Sequence, residues 1–159
     1  VETIRKTETL FSELFNSSPM AIVLLNSEGN VERINQGFET MFGYSISELK
    51  GKSLNDFIVP KELESEGNYV NSKISSNQIM RLETYRLRKD KGQISVIIYG
   101  VPVHLDEETL GIFGVYVDIT EQKEIEEELT IRNAELDNFV YKVSHDLRAP
   151  LSSILGLVN

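Results

Sequence analysis

His145 is the residue of this 159-residue chain best suited to nucleophilic chemistry. It lies in the run 144–151, where Asp146 and Arg148 follow it closely. A neutral imidazole is abundant at pH 7 and can carry a phosphoryl group between two transfer steps. The chain has no cysteine, which excludes a cysteine nucleophile, a thiolate metal site and a disulfide framework. The other histidine, His104, falls on a predicted strand, so we predict a structural role for it and no metal site.

A predicted long helix must position His145. After Thr120 the sequence is rich in glutamate and other strong helix formers. Two series of apolar residues that each repeat every seven positions predict a coiled-coil seam, the apolar stripe that packs against a partner helix: Leu129, Leu136 and Val143, and Val140, Leu147 and Ile154. His145 lies two residues beyond Val143 of this seam, so the pattern predicts that it faces solvent on the side away from the partner helix.

Pro150 lies inside this helical pattern. Its ring removes one backbone hydrogen bond and clashes with the carbonyl of Asp146, four residues earlier, so the sequence predicts a kink beside the histidine. We expect the kink to take part in signal transmission by letting the His145 face bend between two states. The helical region is predicted to divide into a coiled-coil linker, residues 121–139, and the start of a second domain, residues 140–159.

The residues before this helix predict a domain of mixed α and β structure. An amphipathic pattern predicts an N-terminal helix over residues 1–16. Two short strands, 20–25 and 31–34, flank the turn-forming residues 26–30 and predict a β-hairpin.

Capping residues predict the helices that follow the hairpin. Asn35 is suited to cap a short helix, which Gly43 ends. Ser45 and Glu48 fit a capping box for another helical turn. A polar helix is predicted over residues 61–75.

Three β-rich runs close the domain, at residues 79–88, 93–104 and 109–119, with turns between them. Pro102 indicates an edge position or a bulge in the middle run, because proline cannot donate to a sheet. Sequential hairpins favour an antiparallel sheet with short helices on one face, so we predict an α+β domain followed by a long helix.

Several short motifs in the first 120 residues resemble the PAS family in their order and spacing, and the PAS sensor domain itself is predicted over residues 17–120. The resemblance implies the PAS fold, with a five-stranded antiparallel sheet, and a sensory and dimerising role. Asp118 and Thr120 are expected to cap the following helix and, in this family, to transmit the signal. The matching segments are residues 14–19, 34–39, 42–45, 48–52 and 118–120.

The later residues resemble the first helix of the dimerisation and histidine-phosphotransfer domain of sensor histidine kinases, and residues 144–151 resemble its histidine box. The resemblance implies that ATP phosphorylates His145, that Asp146 orients or deprotonates the imidazole, and that an aspartate of a response regulator receives the phosphoryl group. Arg148 is expected to steady the developing phosphate charge. The implied partners are a second copy of the chain and the ATP-binding domain of a longer parent kinase, since this chain lacks that domain and should be inactive alone.

A pocket between the sheet and the short helices is the expected site for a signal molecule. Flavin-binding members of the PAS family use a cysteine. Haem-binding members use a histidine on the long helix inside the PAS domain, which corresponds to residues 61–75 of this chain. Both cofactors are disfavoured, because the chain has no cysteine and residues 61–75 contain no histidine. The sequence therefore does not identify a ligand for this domain. The candidate lining residues, which are equally expected to form the core, are Ile22, Leu24, Ile34, Phe38, Phe42, Tyr85, Tyr99, Phe113 and Val115.

The net charge and the hydropathy of the sequence limit which partners and which cellular location we expect. The net charge of −9 repels nucleic acid and anionic lipid. No stretch reaches the roughly 20 apolar residues that a membrane span needs. We therefore expect a cytoplasmic location, with any membrane anchor in an upstream part of the parent. Two alternatives to the kinase stay open: a PAS ligand-binding or dimerisation module in which His145 is not phosphorylated, and a scaffold in which only the coiled coil matters.

Overall fold

The computed structural model describes residues 1–75, 78–104, 107 and 110–158. They form two compact units, Val1–Thr120 and Glu121–Asn159. The helices are α1 Glu2–Ser17, α2 Gln36–Phe42, α3 Ile46–Leu49, α4 Asn55–Ile58, α5 Glu64–Ser75, which follows a 3₁₀ turn at Lys61–Leu63, and α6 Thr120–Val158. The strands are β1 Ala21–Leu25, β2 Val31–Ile34, β3 Met80–Leu87, β4 Gln93–His104 and β5 Leu110–Asp118.

The five strands form one antiparallel sheet in the order β2-β1-β5-β4-β3. This arrangement confirms the predicted fold class. Pro102 lies beyond Gly100, the last β4 residue that pairs with β3, and among the described residues it pairs with Ile112 of β5 alone. The proline therefore occupies an edge portion of β4, as predicted, where its missing N–H breaks no ladder bond.

Local turn and cap signals account for the element boundaries. Gly43 ends α2 in the left-handed conformation, with φ at 83°, and both hydrogen bonds of the predicted Ser45–Glu48 capping box are present. In the β3–β4 turn, Asp90 Oδ1 accepts a hydrogen bond from the Gly92 amide at 2.7 Å. Residues 105, 106, 108 and 109 of the other predicted turn lie outside the described residues.

Asn35 links three elements of the domain from a fully buried position. Its Oδ1 accepts hydrogen bonds from the amides of Ile22 in β1 and Phe38 in α2, at 2.8 and 2.9 Å. Its amide nitrogen donates to the carbonyls of Phe15 in α1 and Met20, at 2.8 and 2.9 Å. The sequence predicted only the helix cap. The other bonds fix the ends of α1 and β1 against the start of α2.

The core lies between one face of the sheet and helices α2 to α5. Alternate residues of the strands supply the sheet side, and α2 places Phe38 and Phe42 against the Tyr116 ring, with centroids 5.9 and 5.3 Å away. Helix α1 buries Phe15, whereas Ile4, Leu10, Phe11 and Leu14 of its apolar pattern are exposed.

Candidate functional site

His145 lies on an exposed face of α6, and its side chain is 69% accessible. Its Nδ1 lies 3.8 Å from Oδ1 of Asp146, which is too long for a hydrogen bond; the two groups attract by charge when the imidazole is protonated. Within the described part of the chain, Arg148 forms no ion pair with either residue. The structure therefore brings together two of the three predicted site residues and leaves the third apart.

Sequence reasoning missed one neighbour of His145. The ring of Tyr141 stacks against the imidazole, with centroids 6.3 Å apart and planes inclined by 27°. Both residues are exposed. The signal that would have found this contact is the spacing of four residues on a helix, which places two side chains on one surface.

The predicted seam of α6 is an uncovered apolar surface. One full helix, Thr120–Val158, carries both heptad series without interruption. All six residues expose between 38% and 58% of their surface: Leu129, Leu136, Val140, Val143, Leu147 and Ile154.

The junction between β5 and α6 is held by polar contacts around Asp118. Its Oδ1 accepts a hydrogen bond from the Thr120 amide at 2.9 Å, which satisfies a free N–H at the helix start. Its Oδ2 lies 4.0 Å from Nη2 of Arg88, and the Ile119 amide donates to Ser95 of β4. Among the described side chains, Thr120 Oγ1 is buried without a hydrogen-bond partner.

The predicted pocket residues are divided between the two faces of the sheet. Ile34, Phe38 and Phe42 belong to the helix-covered core. Tyr85, on the edge strand β3, donates a hydrogen bond from its hydroxyl to Glu62 at 3.0 Å. The other five lie on the opposite face of the sheet, because they alternate with the buried strand residues and pair with one another across strands. These pairs are Ile22 with Val115, Val115 with Tyr99, and Leu24 with Phe113. The Phe15 ring of α1 packs against Phe113.

This division corrects the prediction of a single pocket lined by all nine residues. Strands β1 and β5 carry apolar side chains on both faces, so alternation alone did not show which set faces the helices.

A buried arginine occupies the core face instead. Arg86 of β3 is 2% exposed, and its Nη1 donates to Oε1 of Glu66 in α5 at 2.8 Å and to the Tyr85 carbonyl at 2.9 Å. Thr84 donates to the other Glu66 oxygen at 3.2 Å. Nearby, burial raises the pKa of the Tyr116 phenol to about 12, and the positive charge of Arg86 partly opposes the shift.

The sheet order, the short helices on one face and the long C-terminal helix define a PAS-fold domain. The chain belongs to the PAS domain family, whose model matches residues 19–121. The solved PAS domain of an HTR-like protein from Haloarcula marismortui has a TM-score of 0.64 and 25% identity, and the match covers 74% of this chain and 96% of that one.

The chain is homologous to sensor histidine kinases over most of its length. Sporulation kinase C of Bacillus subtilis is 28% identical over 145 residues, and the match covers 84% of this chain and 33% of that protein. Sensor histidine kinase TmoS of Ectopseudomonas mendocina is 28% identical over 171 residues, with coverage of 95% and 18%. The chain thus spans a third or less of these curated relatives. No helix in the described ranges is both long and apolar enough to cross a membrane.

Proposed function

We propose that this chain is the sensory and phosphoacceptor part of a two-component sensor histidine kinase. Its PAS domain responds to a signal, and α6 pairs with a second copy as a parallel coiled coil. His145 receives the γ-phosphoryl group of ATP from the kinase's ATP-binding domain and passes it to an aspartate of a response regulator. The proposed location is the cytoplasm, with any membrane anchor elsewhere in the longer protein.

The position of His145 on α6 carries this proposal. At 100° per residue, His145 lies about 140° to 200° around the helix from Val140, Val143 and Leu147. A partner helix that covers these seam residues therefore leaves the imidazole open to a catalytic domain and later to a response regulator. The homology to sensor histidine kinases supports the same assignment.

The contact with Asp146 suits one direction of attack. A carboxylate beside Nδ1 favours the neutral tautomer that carries its proton there, which leaves the lone pair on Nε2. Nε2 forms the new bond to the γ-phosphorus while the bond to the bridging oxygen breaks and ADP leaves. The Asp146 carboxylate stabilises the resulting positive ring or accepts its Nδ1 proton. Arg148, three residues further along α6, is proposed to steady the developing charge of the phosphate.

Labelling of the longer kinase with radioactive ATP tests the proposal. The expected product carries phosphate that is stable in alkali and labile in acid, as a phosphorus–nitrogen bond is, and mass spectrometry places it on His145. Absence of such a label would favour the alternative, a PAS ligand-binding or dimerisation module in which His145 is not phosphorylated.

Leu136→Asp is expected to separate the paired helices. A carboxylate in the seam loses the burial of a leucine on each chain and adds two unpaired charges, which should raise the dimer dissociation constant at least about 100-fold. Sedimentation equilibrium measures this constant. Asn138→Asp is the matched control, because it adds the same charge one heptad before His145, on the outer face. An unchanged mass for the Leu136 variant would contradict the seam.

The signal is proposed to pass from Asp118 and Thr120 along α6 to Pro150. Thr120 and His145 are separated by 25 residues of one helix, or roughly 37 Å at 1.5 Å per residue. Pro150→Ala restores a backbone hydrogen bond and is expected to shift the ratio of autophosphorylation to dephosphorylation in the longer kinase several-fold. Equal ratios in both proteins, measured with and without response regulator, would exclude a switching role for the proline.

A further inference from the structure

The Tyr141 side chain has no structural task of its own in the described part of α6. It is 73% exposed and lies outside both heptad series, so it contributes neither to a core nor to the seam. The one contact described for its ring is the stack on His145, with centroids 6.3 Å apart and an angle of 27°.

The Tyr141 ring lies beside the imidazole, nearly parallel to it and offset, with centroids 6.3 Å apart. Side chains on a helix lean towards the N-terminus, so the His145 ring extends over the preceding turn, where Tyr141 lies. The nitrogen lone pair that attacks phosphorus lies in the plane of the ring. A tyrosine in this offset position limits the rotamers open to the imidazole and leaves Nε2 accessible to ATP.

Asp146 limits the imidazole from a second direction. Its carboxylate lies 3.8 Å from Nδ1. The two neighbours thus border the imidazole on different sides, one beside its plane and one beside Nδ1. Reaction rates depend steeply on the orientation of the attacking atom.

We propose that Tyr141 is a positioning residue, which holds the His145 imidazole in the orientation that presents Nε2 to the phosphoryl donor. This role rests on the proposed function, because it assumes that His145 is the phosphoacceptor. The aromatic ring is the part that matters, and the hydroxyl is dispensable. A residue that only stabilised the helix would affect helicity and not the orientation of the imidazole.

The first experiment measures the orientation directly in the 159-residue chain. Three-bond NMR couplings report the distribution of the His145 χ1 angle in wild type, Tyr141→Phe and Tyr141→Ala, with Lys142→Ala as an exposed neighbouring control. Wild type, the phenylalanine variant and the control are expected to show one dominant rotamer, whereas the alanine variant averages over several. Circular dichroism at 222 nm checks that helicity is maintained. Identical couplings in wild type and the alanine variant would overturn the proposal.

The second experiment measures catalysis in the longer kinase. Tyr141→Ala is expected to lower kcat for autophosphorylation by about 3- to 10-fold, with KM for ATP unchanged, while Tyr141→Phe restores the wild-type rate. An unchanged kcat in the alanine variant would contradict positioning. A wild-type kinase without label on His145 would instead refute the proposed function, and the NMR couplings would still decide whether Tyr141 orients the ring.

Discussion

A kinase that carries His145→Gln is expected to incorporate no acid-labile phosphate from ATP, because the amide of glutamine has no nucleophilic nitrogen lone pair to replace the imidazole. The substitution should leave the fold intact. His145 is largely exposed, its described contacts are limited to Tyr141 and Asp146, and glutamine is a good helix former. The measurement is the label on the purified kinase after acid and alkali treatment, normalised to protein. Any acid-labile label that survives in this variant would place the phosphoacceptor elsewhere.

Asp146→Asn refines this prediction, because the variant keeps the shape of the side chain and removes its charge. General acid–base assistance typically contributes on the order of 10²-fold or more, so a loss of about that size is expected in the initial labelling rate. Asp137→Asn is the control, since it removes an equivalent exposed charge earlier on the same helix. Equal loss in both variants would assign the effect to the overall charge of α6 and not to a contact with His145.

The parts of the fold that depend on neighbouring residues were predictable from the sequence. Asn35, Gly43 and the capping box at Ser45 act within a few residues of their own positions, so their residue types specify the helix ends. The position of both heptad series on one helix likewise follows from the local sequence pattern. The roles proposed for His145 and Asp146 came from the histidine box and from geometry on one helix, and they stay predictions.

The parts that depend on distant pairing were not predictable. In β3 the alternation of apolar and polar residues is weak, and Tyr85 was predicted to face the core. The ladder pairs Arg86 with Ile94, which is fully buried, so the arginine faces the core and Tyr85 does not. A charged residue is buried only where a partner comes to it. That partner is Glu66, twenty residues earlier in a helix whose packing no local pattern specifies.

Breaking the ion pair between Arg86 and Glu66 is expected to have a large effect on the stability of the domain. Glu66→Ala is expected to lower the free energy of unfolding by about 3 kcal/mol, because it leaves the guanidinium in the core without a countercharge and also removes the acceptor of Thr84. Thermal or urea unfolding of the 159-residue chain, followed by tyrosine fluorescence, measures the change. That loss is a large part of the 5–15 kcal/mol that typically stabilises a domain.

Burial, and not proximity, should decide the size of this effect. Lys89 and Glu48 are also 2.8 Å apart, but both are well exposed, so Lys89→Ala should change stability little. Replacing both partners, as Arg86→Met with Glu66→Leu, removes the two charges together and is expected to recover most of the loss. A double variant as unstable as Glu66→Ala would show that the hydrogen bonds, rather than the unpaired charge, hold α5 against the sheet.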